Sequence, residues 1–407
     1  MQDSKISRLA LTLVKTKSLI LQPDGSLYVR RDDSMKAVGI IAEYNPFHNG
    51  HKYQIEQARQ ATNADAVIVI MSGNWVQRGQ PAILDKWTRA QMALENGADM
   101  VIELPVQCAV QPADIFARHA VNILANLKCE WLSFGSEHPD INFNELANID
   151  LKETIIDQDY TKSYAELIRD ALTNETGEDV SAPNDVLALN YAIANLKNNH
   201  QMKLVPIKRN GANHHDRDLN NDGSIASASS IRAAIIDNSQ ELVQYLPDST
   251  DIDAFKSHVD WEDFWPLLKY KIETSSIDEL NHIYQMTEGL EYRLKKYIYE
   301  AHSFDDFLRL VKSKRYTYAR LQRLFVYTLL NWRKSDDLSQ EYVRVLGFNK
   351  SGRAYLNDIK KQIEMPVITK INKELSGTEL NFDVVSGRIY ENINHIPQDA
   401  GKIPLIY

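Results

Sequence analysis

The sequence predicts an α/β fold, a parallel sheet flanked by helices, followed by an all-α C-terminal region. Three observations carry that expectation. Short apolar runs alternate with helical patterns from Lys36 to Asp237, the signature of βαβ units and a parallel sheet. The first run feeds the turn Asn45-Pro46-Phe47-His48-Asn49-Gly50-His51 and then a helical pattern. Beyond Asp237 the strand pattern stops, and helical periodicity with interleaved aromatic and cationic residues runs from Ile252 to about Ile363.

Taken in order, residues 1–34 form a weak unit. A hairpin is expected around Pro23-Asp24-Gly25, between Leu19-Ile20-Leu21 and Leu27-Tyr28-Val29. Met35 looks like a natural start, so the first 34 residues read as an extension whose deletion should leave activity intact. Strands are expected at Ala37 to Ala42, Ala66 to Met71, Met100 to Leu104, Trp131 to Phe134 and Leu204 to Ile207. Helices are expected at Tyr53 to Ala61, Lys86 to Asn96, Pro112 to Leu127 and Asn184 to Asn195. The chain thus divides into 1–34, 35–240 and 241–407.

Parallel sheets bind ligands beyond the carboxyl ends of their strands. Four polar or Gly-containing stretches fall there: Asn45 to His51, Ser72-Gly73-Asn74, Gly135-Ser136-Glu137 and Arg209-Asn210-Gly211. The first has the narrowest pattern. A strand entering a Gly-containing turn and then a helix makes a phosphate site, with free helix N–H groups and the positive dipole end aimed at the turn. His48 and His51 flank Gly50 and can hydrogen-bond phosphoryl oxygens, as neutral donors or as imidazolium. The blander reading is one histidine that caps the helix and one that packs. A second helix start follows at Ser227-Ala228-Ser229-Ser230-Ile231-Arg232. Ser229 or Ser230 suits an N-cap, and Arg232 in the first turn suits phosphate oxygens. Two such starts suggest a triphosphate gripped from two sides. The intervening stretch, Asn210 to Asp222, reads as a loop, and its adjacent His214 and His215 lack a third metal ligand.

Composition narrows the rest. The 407 residues are 43% hydrophobic, enough for two or three cores, and no apolar run has membrane-span length. No secretory signal is evident, so a cytoplasmic protein is expected. Cys108 and Cys129 are the only cysteines and read as buried thiols, without a disulfide or thiolate metal site. Net charge is −9, yet Gly289 to Lys334 holds eleven Lys or Arg against four acids, about +7 locally. That basic segment includes Lys295, Lys296, Lys314, Arg315, Arg320 and Arg323, among tyrosines. Leu346 to Arg353 reads as a further basic loop ending in Arg353. A cationic, aromatic surface fits a polyanion with unpaired bases; a solvated helical face with core tyrosines is the bland alternative.

A family resemblance sharpens this. Met35-Lys36-Ala37-Val38-Gly39-Ile40-Ile41-Ala42-Glu43-Tyr44-Asn45-Pro46-Phe47-His48-Asn49-Gly50-His51 is joined by Ser72-Gly73-Asn74, Gln77-Arg78-Gly79, Asp85-Lys86-Trp87-Thr88-Arg89-Ala90, Glu103-Leu104-Pro105 and Phe134-Gly135-Ser136-Glu137. Together they closely resemble the bacterial tRNA(Met) cytidine acetate ligases, of the nucleotidyltransferase-like superfamily marked by His-x-Gly-His. The resemblance covers Met35 to the C-terminus. It implies a Rossmann-like nucleotidyltransferase domain in 35–240 and a mainly helical tRNA-binding part in 241–407.

It further implies ATP-dependent activation of acetate to acetyl-adenylate, then transfer to the exocyclic amine of the wobble cytidine of elongator tRNA(Met). By similarity the ATP site comprises Ile41, Ala42, Glu43, Tyr44, Asn45, Pro46, Phe47, His48, Asn49, Gly50, His51, Lys52, Tyr53 and Gln54, with Gly135, Asn184 and Arg209; Ser229 and Ser230 belong to the second phosphate motif. His48, His51 and Arg232 are the expected catalytic residues, with Lys86 or Arg209 also considered for the departing pyrophosphate. An attacking carboxylate needs no protein nucleophile, only positioning and neutralisation. Mg²⁺ is expected as the escort of ATP, although no carboxylate cluster names its ligands. The alternative is a small-molecule nucleotidyltransferase whose helices serve oligomerisation.

Overall fold

The computed structural model describes residues 17–21, 27–31, 34–149, 173, 175–178, 180–209, 224–237, 239–336, 341–372 and 380–407. The expected hairpin turn at Pro23-Asp24-Gly25 and the loop with His214 and His215 lie outside them. Strands β1 (Lys17–Leu21) and β2 (Leu27–Arg31) pair antiparallel as a separate two-stranded sheet.

Five strands follow in parallel: β3 (Ala37–Ala42), β4 (Ala66–Ser72), β5 (Met100–Leu104), β6 (Trp131–Ser136) and β7 (Lys203–Lys208). They match the expected positions to within two residues. Their spatial order is β5-β4-β3-β6-β7, so the order reverses between β3 and β6. That reversal is the switch point at which open α/β sheets bind ligands, and the His48–His51 turn leaves β3 there.

The sheet is covered on both faces, which explains near-continuous apolar strands. On one face Ile68, Ile70 and Ile102 join a core with α4 (Ala113–Asn126) and α6 (Pro183–Leu196). On the other, Val67, Val69 and Met71 join α1 (Asn49–Thr62), α2 (Lys86–Glu95) and α7 (Ala228–Ile236). Gly39 is needed because a Cβ there would lie 2.6 Å from Leu124 on α4. Short helices α3 (Val106–Ala109) and α5 (Phe143–Asn148) complete the layer. Cys108 and Cys129 are buried.

The helical region comprises α8 (Trp261–Thr274), α9 (Ile277–Asn281), α10 (Leu290–Tyr297), α11 (Phe304–Val311) and α12 (Tyr318–Leu329). Its aromatic core includes Trp261, Phe264, Phe304, Phe325 and Trp332. It seats on the loops after β4 and β5. Trp75 packs on Trp261 and Phe264 at 5.3 and 4.9 Å, and the Trp261 indole donates to the Gly79 carbonyl at 2.9 Å. The Tyr327 hydroxyl donates to the Val110 carbonyl at 2.7 Å. The helices therefore stand at the edge that holds the strands' carboxyl ends.

The helical C-terminal region is present, but the chain then returns to the sheet. β8 (Val343–Phe348) pairs antiparallel with β5, and β9 (Val367–Ile368) and β10 (Leu405–Ile406) flank it. Two helices, α13 (Lys350–Ile359) and α14 (Asn381–Asn394), accompany them. The stretch expected as a basic loop, Leu346 to Arg353, is the end of β8 and the start of α13. A charged Arg344 masks the strand pattern. It is buried because Nε meets Glu103 at 3.1 Å and Nη2 meets Asp399 at 2.9 Å. Among the described residues no helix is long and apolar enough to cross a membrane.

Candidate active site

The site begins with an N-cap. His48 has extended backbone, and its Nδ1 accepts from the Gly50 N–H at 3.0 Å, while its carbonyl accepts from the His51 and Lys52 N–H groups. The free helix N–H groups expected there are therefore largely consumed, because a histidine cap has replaced the anion as their partner. Side chains must supply the binding instead. An Nδ1 that accepts leaves the proton of a neutral ring on Nε2, so His48 presents a donor. Burial and the nearby Arg209 and Arg232 charges lower the His48 pKa to about 3, which makes it a neutral donor at physiological pH.

His51, one turn on, lies against His48 with ring centroids 3.8 Å apart and the ring planes tilted by 31°. Burial, then His48 and Arg209, hold its pKa well below the ordinary value. Its Nδ1 is buried without a hydrogen-bond partner, as is the Tyr44 hydroxyl, whose ring lies 4.7 Å from the His51 ring. Such orphaned polar atoms are uncommon and mark where a ligand completes a site. Gly50 has a local reason: a Cβ would lie 2.9 Å from His48 Cε1. The capping alternative thus holds for His48, and the same cap fixes its donor.

The second helix start meets the first. Arg232 on α7 donates through Nη1 to the Asn45 carbonyl at 2.7 Å. Asn49 Nδ2 donates to the Ser224 and Gln244 carbonyls, both at 3.0 Å. Burial lowers the Arg232 pKa and Glu43 opposes it, leaving a guanidinium charged at neutral pH. The cap of α7 is Ser227, not Ser229 or Ser230: Ser227 has the extended backbone, and its hydroxyl accepts from the Ser230 N–H. Ser229 and Ser230 sit in the first turn, bonded to that hydroxyl at 2.9 and 2.6 Å.

On the β6 side, Arg209 lies across Gly135, where a Cβ would approach its Cγ to 3.3 Å. Its Nη1 stands 4.0 Å from Glu137, and Asn184 Nδ2 donates to Glu137 Oε1 at 2.6 Å. Buried Asp185 ties this end together, accepting from the Ser136 hydroxyl at 2.6 Å and pairing with His138 at 2.7 Å. Ile41 and Ala42 end β3; Pro46 and Phe47 are buried in the turn; Lys52, Tyr53 and Gln54 are half-buried on α1.

Several expected residues stand elsewhere. Lys86 cannot reach a departing pyrophosphate: Nζ is buried between Glu103, at 2.9 and 3.0 Å, and Asp399 at 2.8 Å. Lys295 caps α8 by donating to the Ile272 and Glu273 carbonyls at 3.1 and 2.9 Å. Arg323 is only 9% exposed, wedged where α12 crosses Gly79. Arg353 is exposed on α13, which follows β8 at the Met100 end of β5, the edge opposite the histidines. Lys296, Lys314 and Arg315 are exposed, and Arg320 donates to Thr287 at 2.9 Å.

Sequence reasoning gave no role to Arg89, which is fully buried. It donates to the Leu84 carbonyl at 2.8 Å, Glu43 at 2.7 Å and Ser72 at 3.0 Å, and to the Gly73 carbonyl. One guanidinium thereby clamps the loops leaving β3 and β4. Only a buried arginine's need for several acceptors could have signalled it, and a local window does not show burial.

A family model for the HIGH Nucleotidyl Transferase matches residues 35–402. The chain is 46% identical over 384 residues to the tRNA(Met) cytidine acetate ligase of Ligilactobacillus salivarius, covering 92% of this chain and all of the relative. It is 45% identical over 375 residues to that of Lactiplantibacillus plantarum, covering 91% and 98%. Crystal structures of Thermotoga maritima TmcAL superpose on it at 29% identity over 91% of this chain and 99% of theirs. TM-scores are 0.81 for the apo form and 0.79 for the form bound with alpha-thio ATP. A match of this length, on a chain whose paired histidines sit at the sheet's switch point, makes it a member of the HIGH nucleotidyl transferase family, among the tRNA(Met) cytidine acetate ligases.

Proposed function

We propose that this protein joins acetate to the N4 amine of the wobble cytidine of elongator tRNA(Met), at the expense of ATP. An acetate oxygen attacks the α-phosphorus, giving acetyl-adenylate and pyrophosphate. The cytidine amine then attacks the acyl carbon, a proton leaves the nitrogen, and AMP departs with the electron pair of the cleaved C–O bond. The observation that supports this best is the close His48–His51 pair, rings 3.8 Å apart and both held neutral, beside Arg232 and Arg209. Neutral N–H donors beside the phosphates stabilise charge growing on the α-phosphoryl oxygens without a proton transfer. Arg232 neutralises the leaving pyrophosphate, and the Arg209, Gly135 and Asn184 side holds the remainder of ATP.

No catalytic serine or cysteine is required, which agrees with thiols that burial holds protonated. Among the described residues no group of three or more His, Cys, Asp or Glu side chains could hold a metal ion. In this reading Mg²⁺ arrives on the ATP phosphates. Residues 35–240 carry the ATP chemistry, and the helical part of 241–407 receives tRNA through Lys296, Lys314, Arg315 and Arg320. Such an enzyme works in the cytoplasm, where its RNA is.

The test is acetate-dependent exchange of labelled pyrophosphate into ATP without RNA. Exchange that requires acetate supports the adenylate; exchange absent with acetate but present with another small acceptor favours the small-molecule nucleotidyltransferase.

A further inference from the structure

The turn Val76 to Gly79 is anchored more firmly than a surface connection needs. The Gly79 N–H closes it on the Val76 carbonyl at 2.8 Å, and Val76 N–H donates to Gln80 at 2.9 Å. Gln77 ties it to the nucleotide loop, its N–H donating to Glu43 Oε1 at 2.9 Å, and to the α3–α4 connection, its amide donating to the Gln111 carbonyl at 2.6 Å. Trp261 of the helical region holds the Gly79 carbonyl at 2.9 Å. Gly79 itself has φ +77°, and a Cβ there would fall 2.3 Å from the Arg323 backbone nitrogen on α12.

All these contacts fix a turn whose tip is an exposed arginine, Arg78. Among the described residues no hydrogen bond or ion pair involves its guanidinium, whereas Arg59, Arg89, Arg209, Arg232 and Arg344 all have partners. The turn lies at the seam between the two parts. Through Glu43 it borders the loop that Arg232 grips, and through Gly79 it borders α12, whose first turns carry Tyr318 and Arg320. The charge of Arg78 opposes that of Arg232, a repulsion that an anion relieves. An anion within reach of both the nucleotide loop and the helical face is better met by a polymer than by ATP, which Arg209 and Arg232 already flank.

We infer that Arg78 binds a backbone phosphate of the RNA strand beside the reacting nucleotide and so positions the base over the acyl group. This rests on the ligase reading above. The experiment compares the parent with Arg78→Ala and Arg78→Lys in two assays: acetate-dependent pyrophosphate exchange without RNA, and acetyl transfer to and binding of tRNA across a salt series. We expect Arg78→Ala to keep exchange within about twofold and to lose about ten- to hundredfold in kcat/KM for tRNA, the worth of one charge-assisted phosphate contact. Its log–log salt slope for binding becomes shallower by about 0.7. Arg78→Lys restores the slope and part of the rate. Exchange falling in parallel assigns Arg78 to the ATP phosphates and overturns the inference; unchanged transfer and slope overturn it as well. A parent that exchanges pyrophosphate but acetylates no RNA overturns the ligase reading itself.

Discussion

A methyl group on Gly50 would stand 2.9 Å from Cε1 and 3.1 Å from Nδ1 of His48, and 3.4 Å from Cγ2 of Ile225. Ordinary carbon contacts need about 3.5–4.0 Å, so Gly50→Ala displaces the imidazole by about half an ångström or more. That shift breaks the 3.0 Å cap to the Gly50 N–H and disturbs the 3.8 Å ring contact with His51. Losing the cap costs about 1 kcal/mol. Alanine in place of glycine within a helix returns about 0.5–1 kcal/mol. Folding stability therefore changes little, and the unfolding midpoint moves by about 2–4 °C at most. Catalysis has no such offset, since misplacing a transition-state donor by about 1 Å costs on the order of a hundredfold. Pyrophosphate exchange and a thermal melt on the same preparation separate the two effects. Exchange within about threefold of the parent would refute the assignment of His48 as a positioned donor.

Lys86→Met leaves the buried Glu103 and Asp399 carboxylates with Arg344 as their one remaining paired cation among the described residues and should cost about 3–5 kcal/mol in urea unfolding at pH 7. A cost under about 1 kcal/mol would contradict the buried cluster. The folded-state pKa of His48, about 3, lies below the unfolded value near 6.5. Its contribution to stability is therefore full above pH 6.5 and is lost as pH falls toward 3. Between pH 6.5 and 4.5 the parent should lose up to about 2.7 kcal/mol more than His48→Asn, whose amide keeps the cap without titrating; equal losses would show that His48 is protonated in the fold. Arg315→Ala with Arg320→Ala should weaken tRNA binding and flatten its salt slope by about 1.4 while ATP binding persists. An unchanged slope would move the RNA surface elsewhere.

Much of this architecture was legible because it is local. Alternating apolar runs place all five parallel strands, and the turn after β3 announces itself through His48, Gly50 and His51. The pyrophosphate role considered for Lys86 failed because its partners, Glu103 and Asp399, lie 17 and 313 residues away. Arg344 hid β8 for the same reason. Charge counting found the basic segment but could not tell exposed Arg315 from Arg323, since burial depends on where α12 crosses Gly79. The expectation of free N–H groups at the first helix erred in a different way. The histidine next to that helix serves as its cap, so one residue both satisfies the backbone and aims its other nitrogen outward.

In the proposed reaction an acyl group, not a nucleotidyl group, ends on an RNA base. Incubating the protein with ATP, labelled acetate and total tRNA, then digesting the RNA to nucleosides, tests it directly. The label should appear in N4-acetylcytidine, from tRNA(Met) alone, with one AMP and one pyrophosphate formed per acetyl group. Acetate-free RNA, or label on any other nucleoside, would contradict the account.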